Sequence, residues 1–351
     1  MIKLDDLLEI AVEKNASDIH LTVGAYPYIR VNGELSKVYN EKLTVDDTKN
    51  FAIAILNEDY KTYETIGEID TTYSLAGLGR FRVNIYKQRS SDTLAIRIVG
   101  GKIPTLKELN MPTVVKEFAL KDRGLILVTG PTGSGKSTTL AALINEINNT
   151  RSEHIITLEK PIEFLYKHNR SIVNQREMGR DSENFETALK TLLREDPDVV
   201  FISELNTQES ISIALTAAEN GRLVLSSMNT MGVCKTIERI IEYFPPYQQE
   251  QVRIQLSNVL QGVVSQQLVP RHNGEGRILS MELMTVNPTI QTLIREGKIQ
   301  QIESIIQTGN KLGMKTMDMS LVELYKQGEI SKDIALTYAM DKEIMLRMLM
   351  L

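Results

Sequence analysis

Gly130-Pro131-Thr132-Gly133-Ser134-Gly135-Lys136-Ser137 is the stretch that decides the fold of the larger part of this chain. A loop that wraps phosphate oxygens with backbone N–H groups needs glycines, because side chains would block the approach and some positions require a positive φ. Three glycines supply that freedom here. Lys136 adds a positive charge for the β- and γ-phosphates, and the Ser137 hydroxyl is the expected Mg²⁺ ligand. The stretch therefore predicts a nucleoside triphosphate site.

The flanking sequence predicts a strand before this loop and a helix after it. Leu125 to Thr129 is a short apolar run typical of a buried strand. The following helix, with an apolar stripe through Leu140 and Leu143, points its N-terminal dipole at the bound anion. We expect ATP to contact the loop and the first helical turn, at Pro131, Thr132, Gly133, Ser134, Gly135, Lys136, Ser137 and Thr138.

Two acidic segments follow at the ends of later strands. The apolar run that begins at Asp198 ends at Glu204, which we expect to hold Mg²⁺ together with Ser137. The segment Thr157 to Glu163 presents two carboxylates around a proline. Glu163 is the candidate that orients the attacking water, with Glu159 in reserve. Solvated acids at strand ends would produce the same two patterns.

The pattern of apolar residues divides the chain into four parts. The pattern over residues 1–100 predicts an α+β domain with a helix near the start and an antiparallel sheet. Residues 101–107 are the linker, because glycines and Pro104 interrupt the periodicity. Residues 108–285 carry short apolar runs separated by helices, which predicts a parallel sheet and an α/β core. Residues 286–351 are expected to be helical, and residues 248–267 and 287–307 carry helical stripes.

Composition excludes several classes of function. The 351 residues include 40 basic and 45 acidic side chains, and a net charge of -5 does not favour nucleic-acid binding. Cys234 is the one cysteine, so a thiolate zinc site cannot form within a single chain. No apolar run approaches the roughly 20 residues of a membrane span, so we expect a cytoplasmic protein that does not insert into the membrane.

The whole chain resembles the secretion ATPase superfamily, and within it the PilT family of type IV pilus retraction motors. Seven segments besides the loop carry the resemblance: Ala16-Ser17-Asp18-Ile19-His20-Leu21, Arg30-Val31-Asn32-Gly33-Glu34-Leu35, Gly79-Arg80-Phe81-Arg82-Val83-Asn84, Val173-Asn174-Gln175-Arg176-Glu177, Arg194-Glu195-Asp196-Pro197-Asp198, Ala214-Leu215-Thr216-Ala217-Ala218-Glu219 and Gly313-Met314-Lys315-Thr316-Met317-Asp318.

The resemblance implies a PAS-like N-terminal domain followed by a RecA-like ATPase domain, assembled as a ring-shaped homo-hexamer. It implies that Arg82 and Arg97, with Arg80 a weaker candidate, reach the nucleotide. It also implies an inner-membrane pilus platform protein as a partner, so that the protein is peripheral to that membrane. The chain lacks the tetracysteine zinc element of related assembly and type II secretion ATPases, which favours retraction over those activities.

Several positions depart from the family pattern. Lys160 stands where the family has Asp, and Arg222 and Asn229 stand where it has His. After Glu204, the family usually has Met-Arg-Asp, whereas this chain has Leu205-Asn206-Thr207. Asn229 can still hydrogen-bond a γ-phosphate or water, but it cannot carry a positive charge. These departures leave a second reading open, in which the chain is a nucleotide-binding paralogue that hydrolyses ATP poorly and assembles with an active pilus ATPase.

Overall fold

The computed structural model describes residues 2–31, 33–75, 77–99, 103–192, 194–274 and 276–350, apart from the side chain of Leu189. The chain forms two compact units. The first comprises Met1–Lys102 with the short segment Glu163–Leu165, and the second comprises Ile103–Ile162 and Tyr166–Leu351. Asn32 of the second family-like segment, and residues 100–102 at the predicted linker, lie outside the described residues.

The first unit is an antiparallel sheet covered by helices. Its six strands are hydrogen-bonded in the order β3-β2-β1-β6-β5-β4, and every pair is antiparallel. This confirms the predicted α+β arrangement with an antiparallel sheet. The elements are α1 (Leu4–Glu13), β1 (Asp18–Leu21), β2 (Tyr28–Val31), β3 (Glu34–Lys37), α2 (Val45–Leu56), α3 (Tyr60–Ile66), β4 (Glu68–Leu75), β5 (Gly79–Gln88) and β6 (Ser91–Val99).

A buried carboxylate joins α3 to the sheet of the first unit. Asp92 is 3% exposed; its Oδ1 lies 2.6 Å from Lys87 Nζ and accepts a 2.7 Å hydrogen bond from the Tyr63 hydroxyl. Tyr60 donates to Oδ2 at 3.3 Å. Burial alone would raise the pKa of Asp92, but the bonds from Lys87 and Tyr63 outweigh it and hold that pKa below the usual value.

Replacement of Asp92 should destabilise this unit in a pH-dependent way. Because the folded pKa of Asp92 is lowered, its contribution is complete above the unfolded pKa near 4 and is lost as the pH falls through the folded value. We expect Asp92→Asn to lower the free energy of unfolding by about 2–4 kcal/mol at pH 7, and by less below pH 4. Urea unfolding followed by circular dichroism at both pH values measures this. The exposed Asp59→Asn is the control, with a change below about 0.5 kcal/mol.

The second unit is built on a seven-stranded sheet in the order β13-β12-β7-β11-β10-β8-β9. Neighbouring strands are parallel except the pair β12–β13. The elements are α4 (Thr113–Ala119), β7 (Gly124–Thr129), α5 (Lys136–Thr150), β8 (His154–Glu159), β9 (Ile172–Glu177), α6 (Phe185–Leu192), β10 (Val199–Ile202), α7 (Gln208–Glu219), β11 (Leu223–Met228), α8 (Val233–Glu242), α9 (Pro246–Val259), β12 (Leu260–Pro270), β13 (Arg277–Thr285), α10 (Pro288–Arg295), α11 (Ile302–Thr308), α12 (Met317–Lys326), α13 (Lys332–Tyr338) and α14 (Lys342–Met348).

The central strands are buried on both faces, as their continuous apolar runs predict. Along β7, Leu125 and Leu127 enter one hydrophobic core, and Ile126 and Val128 enter another on the opposite face. Successive side chains of a strand point to opposite faces, so each run serves two cores. The predicted α/β architecture with a parallel sheet is confirmed.

The prediction of a helix over residues 248–267 is wrong in its second half. α9 ends at Val259, and β12 begins at Leu260 and pairs with β7 and β13. The apolar run after Val259 fits the stripe of a helix as well as a buried strand, and pairing with distant strands decides between them. The stripe over 287–307 is likewise interrupted, because Gly297 adopts φ +71° between α10 and α11. Within the described part of the chain, no helix is long and apolar enough to cross a membrane.

Candidate functional site

The phosphate loop lies at the carboxyl end of β7, where parallel sheets place their ligand sites. β7 is buried throughout, and α5 begins at Lys136 directly after Gly135, whose φ is +89°. Gly130 has φ +143°, and a Cβ there would lie 2.1 Å from the carbonyl oxygen of Gln266 and 2.6 Å from Ser134 Oγ. The glycines are therefore required both by backbone conformation and by the close approach of β12.

We expect Gly130→Ala to weaken binding of ADP at least about 10-fold, because the loop must move away from β12 to accommodate the methyl group. Titration with a fluorescent ADP analogue measures the effect. Gly274→Ala is the matched control, since Gly274 also has a positive φ, +76°, but open space around its Cβ position. It should bind ADP within twofold of the wild type. Equal affinity of Gly130→Ala and the control would contradict the prediction.

Lys136 is folded back onto its own loop. Its Nζ donates to the carbonyl oxygens of Gly130 at 2.9 Å and Pro131 at 3.0 Å, and to Asn229 Oδ1 at 2.8 Å. The ammonium is thus held against the loop by two of its carbonyls and by Asn229. The arrangement places one positive charge beside the loop at which phosphate is expected to bind.

Asn229 joins Lys136 to Glu204. While its Oδ1 accepts from Lys136, its Nδ2 donates to Glu204 Oε1. The strand order explains the contact, because β11 lies between β7 and β10. The residues that follow these three strands consequently meet at one edge of the sheet. The structure brings Lys136, Asn229 and Glu204 together, and their roles toward nucleotide stay a prediction.

The oxygen donors at this edge fit Mg²⁺ bound together with a nucleotide. Ser137 lies in the first turn of α5 beside Lys136, and the carboxylate of Glu204 is half-buried. Among the described residues no three His, Cys, Asp or Glu side chains cluster as a metal site. Mg²⁺ in phosphate sites takes one or two protein ligands and completes its shell with phosphate oxygens and water, so this sparse set suits it.

A cavity of about 570 Å³ opens beside the loop within the second unit. Ser134 and Thr138 line it on the loop side, and Gln266 and Leu268 line it from β12. Ser134 Oγ and Gln266 Oε1 are both buried, and neither has a hydrogen-bond partner among the described residues. Buried polar atoms of this kind are costly unless a ligand or water satisfies them. Volume and lining both fit the nucleoside part of a bound nucleotide.

The two candidate bases have different surroundings. Glu159 is 4% exposed, and its Oε1 accepts hydrogen bonds from Thr157 Oγ1 at 2.7 Å and Gln175 Nε2 at 3.1 Å. Glu163 is exposed and belongs to the segment that clusters with the first unit. A base must reach a water molecule, which the enclosed Glu159 is less able to do. Glu163 remains the preferred prediction.

Arg82 and Arg97 form a cross-strand pair in the first unit. They lie directly opposite each other on β5 and β6, so their side chains share one face of the sheet. Arg97 Nε binds Asp18 Oδ1 at 3.0 Å, and Arg82 Nη2 lies 4.0 Å from Asp70 Oδ2. Two like charges opposite each other destabilise a sheet unless an anion lies nearby. Their role toward nucleotide stays a prediction.

Gln266 also contacts the phosphate loop, which the sequence pattern does not predict. Its Nε2 donates to the Ser134 carbonyl at 2.8 Å, which ties the loop to β12. Once residues 260–267 are assigned to a helix, nothing in the sequence places Gln266 near Ser134, 132 residues earlier. The available signal is the pair of glutamines at 266 and 267, which lies among the apolar residues Val263, Val264, Leu268 and Val269.

Comparison with known proteins gives consistent matches over nearly the whole chain. Residues 1–331 match the family model of the type II/IV secretion system protein. The chain is 42% identical to a twitching motility protein of Neisseria gonorrhoeae, over 91% of this chain and 86% of the relative. It is also 42% identical to the type IV pilus retraction ATPase PilT of Pseudomonas aeruginosa, over 95% and 96% of the two chains.

A solved structure extends this similarity to three dimensions. The crystal structure of the pilus retraction motor PilT with bound ADP superposes with a TM-score of 0.91 at 45% identity. The match covers 99% of this chain and all of the other. At this level the likeness is one of sequence as well as of fold.

Proposed function

Because this chain belongs to the type II/IV secretion system protein family, we propose that it is an ATP-hydrolysing motor that powers the retraction of type IV pili. The observation that carries the proposal is the phosphate loop whose lysine is connected through Asn229 to Glu204. Relatives that match almost the full length are a twitching motility protein and a pilus retraction ATPase.

In the proposed reaction, backbone N–H groups of Gly133 to Thr138 hold the phosphates of ATP. Lys136 leaves the loop carbonyls and moves to the β- and γ-phosphates, while Ser137 and Glu204 would hold Mg²⁺. When bound, Mg²⁺ neutralises charge on those phosphates. Glu163 orients the attacking water or accepts its proton, and the water oxygen bonds to the γ-phosphorus. The bond from that phosphorus to the β–γ bridging oxygen breaks, which leaves ADP and inorganic phosphate.

The proposed motor is a homo-hexameric ring located at the inner membrane through a pilus platform protein. In such a ring the arginine pair of the first unit, Arg82 and Arg97, stabilises the charge of the nucleotide or senses its presence. Both side chains retain exposed surface for that purpose, since 47% of Arg82 and 69% of Arg97 is accessible. Their shared sheet face would deliver two positive charges at once.

Deletion of the gene in its own host tests the retraction role. Retained pili with lost twitching motility are the expected result, and wild-type chain supplied from a plasmid should restore movement. Loss of the pili themselves would point to an assembly ATPase, and normal pili with normal movement would overturn the proposal.

Asn229 favours a second candidate function, that of a nucleotide-binding paralogue that assembles with an active pilus ATPase. The side chain of Asn229 is neutral, so Lys136 carries the positive charge among the three connected residues Lys136, Asn229 and Glu204. A histidine at position 229 could supply a second positive charge. Purified protein separates the two candidates. Measurable turnover of ATP supports the motor, whereas tight ATP binding with no turnover supports the paralogue.

A further inference from the structure

Asp318 is a buried carboxylate at the end of the family-like segment 313–318, and the proposed hydrolysis does not use it. It lies in α12 and is 7% exposed. Its Oδ1 accepts the backbone N–H of Met340 at 2.7 Å, and its Oδ2 accepts that of Asp341 at 3.1 Å. Burial raises the pKa of Asp318 above its usual value, while these two donors act against that rise.

The two bonds fix residues 337–341, which comprise the end of α13 and its connection to α14. A second contact holds the same segment, because Gln267 Nε2 donates to the Tyr338 carbonyl at 3.0 Å. Gln267 follows Gln266 on β12, and Gln266 donates to the Ser134 carbonyl of the phosphate loop at 2.8 Å. Two successive glutamines of one strand therefore hold the C-terminal segment and the phosphate loop.

The segment and the loop also face the same cleft, which has a volume of about 370 Å³. Residues 131–134 of the loop form one wall, and residues 337–340 form another. Gln267 and Leu268 of β12 line it between them. Residues 337–341 and the phosphate loop are both bonded to β12, so movement of residues 337–341 away from this strand would remove one of the contacts that fix it beside the loop.

We propose that Asp318 is a positioning residue for nucleotide binding, which holds residues 337–341 against β12 and so keeps the phosphate loop in its binding conformation. This inference rests on the proposed function, because it takes ATP and ADP as the ligands of the loop. A loop that is already ordered loses less conformational freedom when phosphate binds. Without the two bonds, the loop is in its binding conformation in only a fraction of the molecules. The apparent Kd then equals the intrinsic Kd divided by that fraction.

The test replaces Asp318 and separates KM from kcat. Asp318→Ala should raise the KM for ATP and the Kd for ADP by about 5- to 30-fold, with kcat changed less than about threefold. Asp318→Asn keeps one acceptor oxygen for one of the two N–H groups and should give an intermediate rise. A purely structural role predicts the reverse, because a partly unfolded population lowers apparent kcat and leaves KM unchanged.

Asp341→Ala is the matched control. The Asp341 side chain caps α14 by accepting the N–H groups of Glu343 at 2.9 Å and Ile344 at 3.0 Å, whereas only its backbone N–H binds Asp318. This variant should lower the melting temperature by a few degrees and leave KM within about twofold of wild type. An equal rise of KM in Asp341→Ala and Asp318→Ala would overturn the assignment.

Gln267→Leu provides a second route if Asp318→Ala fails to fold. It removes the hydrogen bond to the Tyr338 carbonyl and should raise the Kd for ADP by about 5- to 30-fold, as Asp318→Ala does. Where both variants fold, the double variant should raise the Kd for ADP by less than the product of the two single increases, because both substitutions act through residues 337–341. Unchanged Kd in every folded variant refutes the positioning role. Absence of ATP turnover in wild type would instead count against the proposed motor, and the Kd for ADP still tests Asp318.

Discussion

Lys136→Ala is expected to reduce the kcat for ATP hydrolysis by about 10³-fold or more. The ammonium of Lys136 is the charge that the loop keeps at the expected phosphate position, bound to two loop carbonyls and to Asn229. Alanine leaves the backbone N–H groups of the loop in place but removes the charge that stabilises the β- and γ-phosphates during transfer. A steady-state phosphate-release assay on the purified protein measures the loss.

The control for this variant is Lys298→Ala. Lys298 is exposed and pairs with Glu296 at 2.7 Å, so its removal changes net charge by the same amount away from the loop. Hydrolysis should stay within about twofold of the wild type, since a surface pair contributes little. If Lys136→Ala retained more than a tenth of the wild-type rate, the loop could not be the site of hydrolysis as proposed.

Glu163→Gln is expected to lower kcat by at least about 100-fold while the Kd for ATP changes less than about threefold. Glutamine has nearly the size of glutamate but cannot accept a proton from water, so binding and catalysis should separate. A filter-binding assay with a radiolabelled ATP and a phosphate-release assay on the same preparation measure the two quantities.

Two further variants decide how this result is interpreted. Glu242→Gln, at an exposed glutamate that pairs with Arg239, should leave both quantities unchanged. Glu159→Gln tests the reserve candidate, and its buried hydrogen bonds suggest a loss of stability rather than a selective loss of kcat. Wild-type turnover in Glu163→Gln, together with a selective loss in Glu159→Gln, would transfer the role of base to Glu159.

The sequence alone was enough to predict the parts of the fold that depend on local pattern. β7, β8, β10 and β11 appear as continuous apolar runs, and all are parallel central strands. The loop itself is contiguous, so its glycines, Lys136 and Ser137 could be identified without any tertiary information. Buried strands and phosphate loops can both be recognised from short stretches of consecutive residues.

The remainder depends on which distant segments meet. Asn229 acts between Lys136 and Glu204 because β11 separates β7 from β10, an order that no local pattern contains. Gln266 and the C-terminal segment near Asp318 depend on β12, whose residues fit a helical stripe until their pairing with β7 is known. Tertiary pairing overrides local propensity at such positions.

The folded-back position of Lys136 affects the release of product. Lys136 is bonded directly to two loop carbonyls and, through Asn229, to Glu204. A nucleotide that binds at the loop exchanges these bonds for charge-assisted bonds to its phosphates. When ADP leaves, the lysine regains its partners within its own subunit.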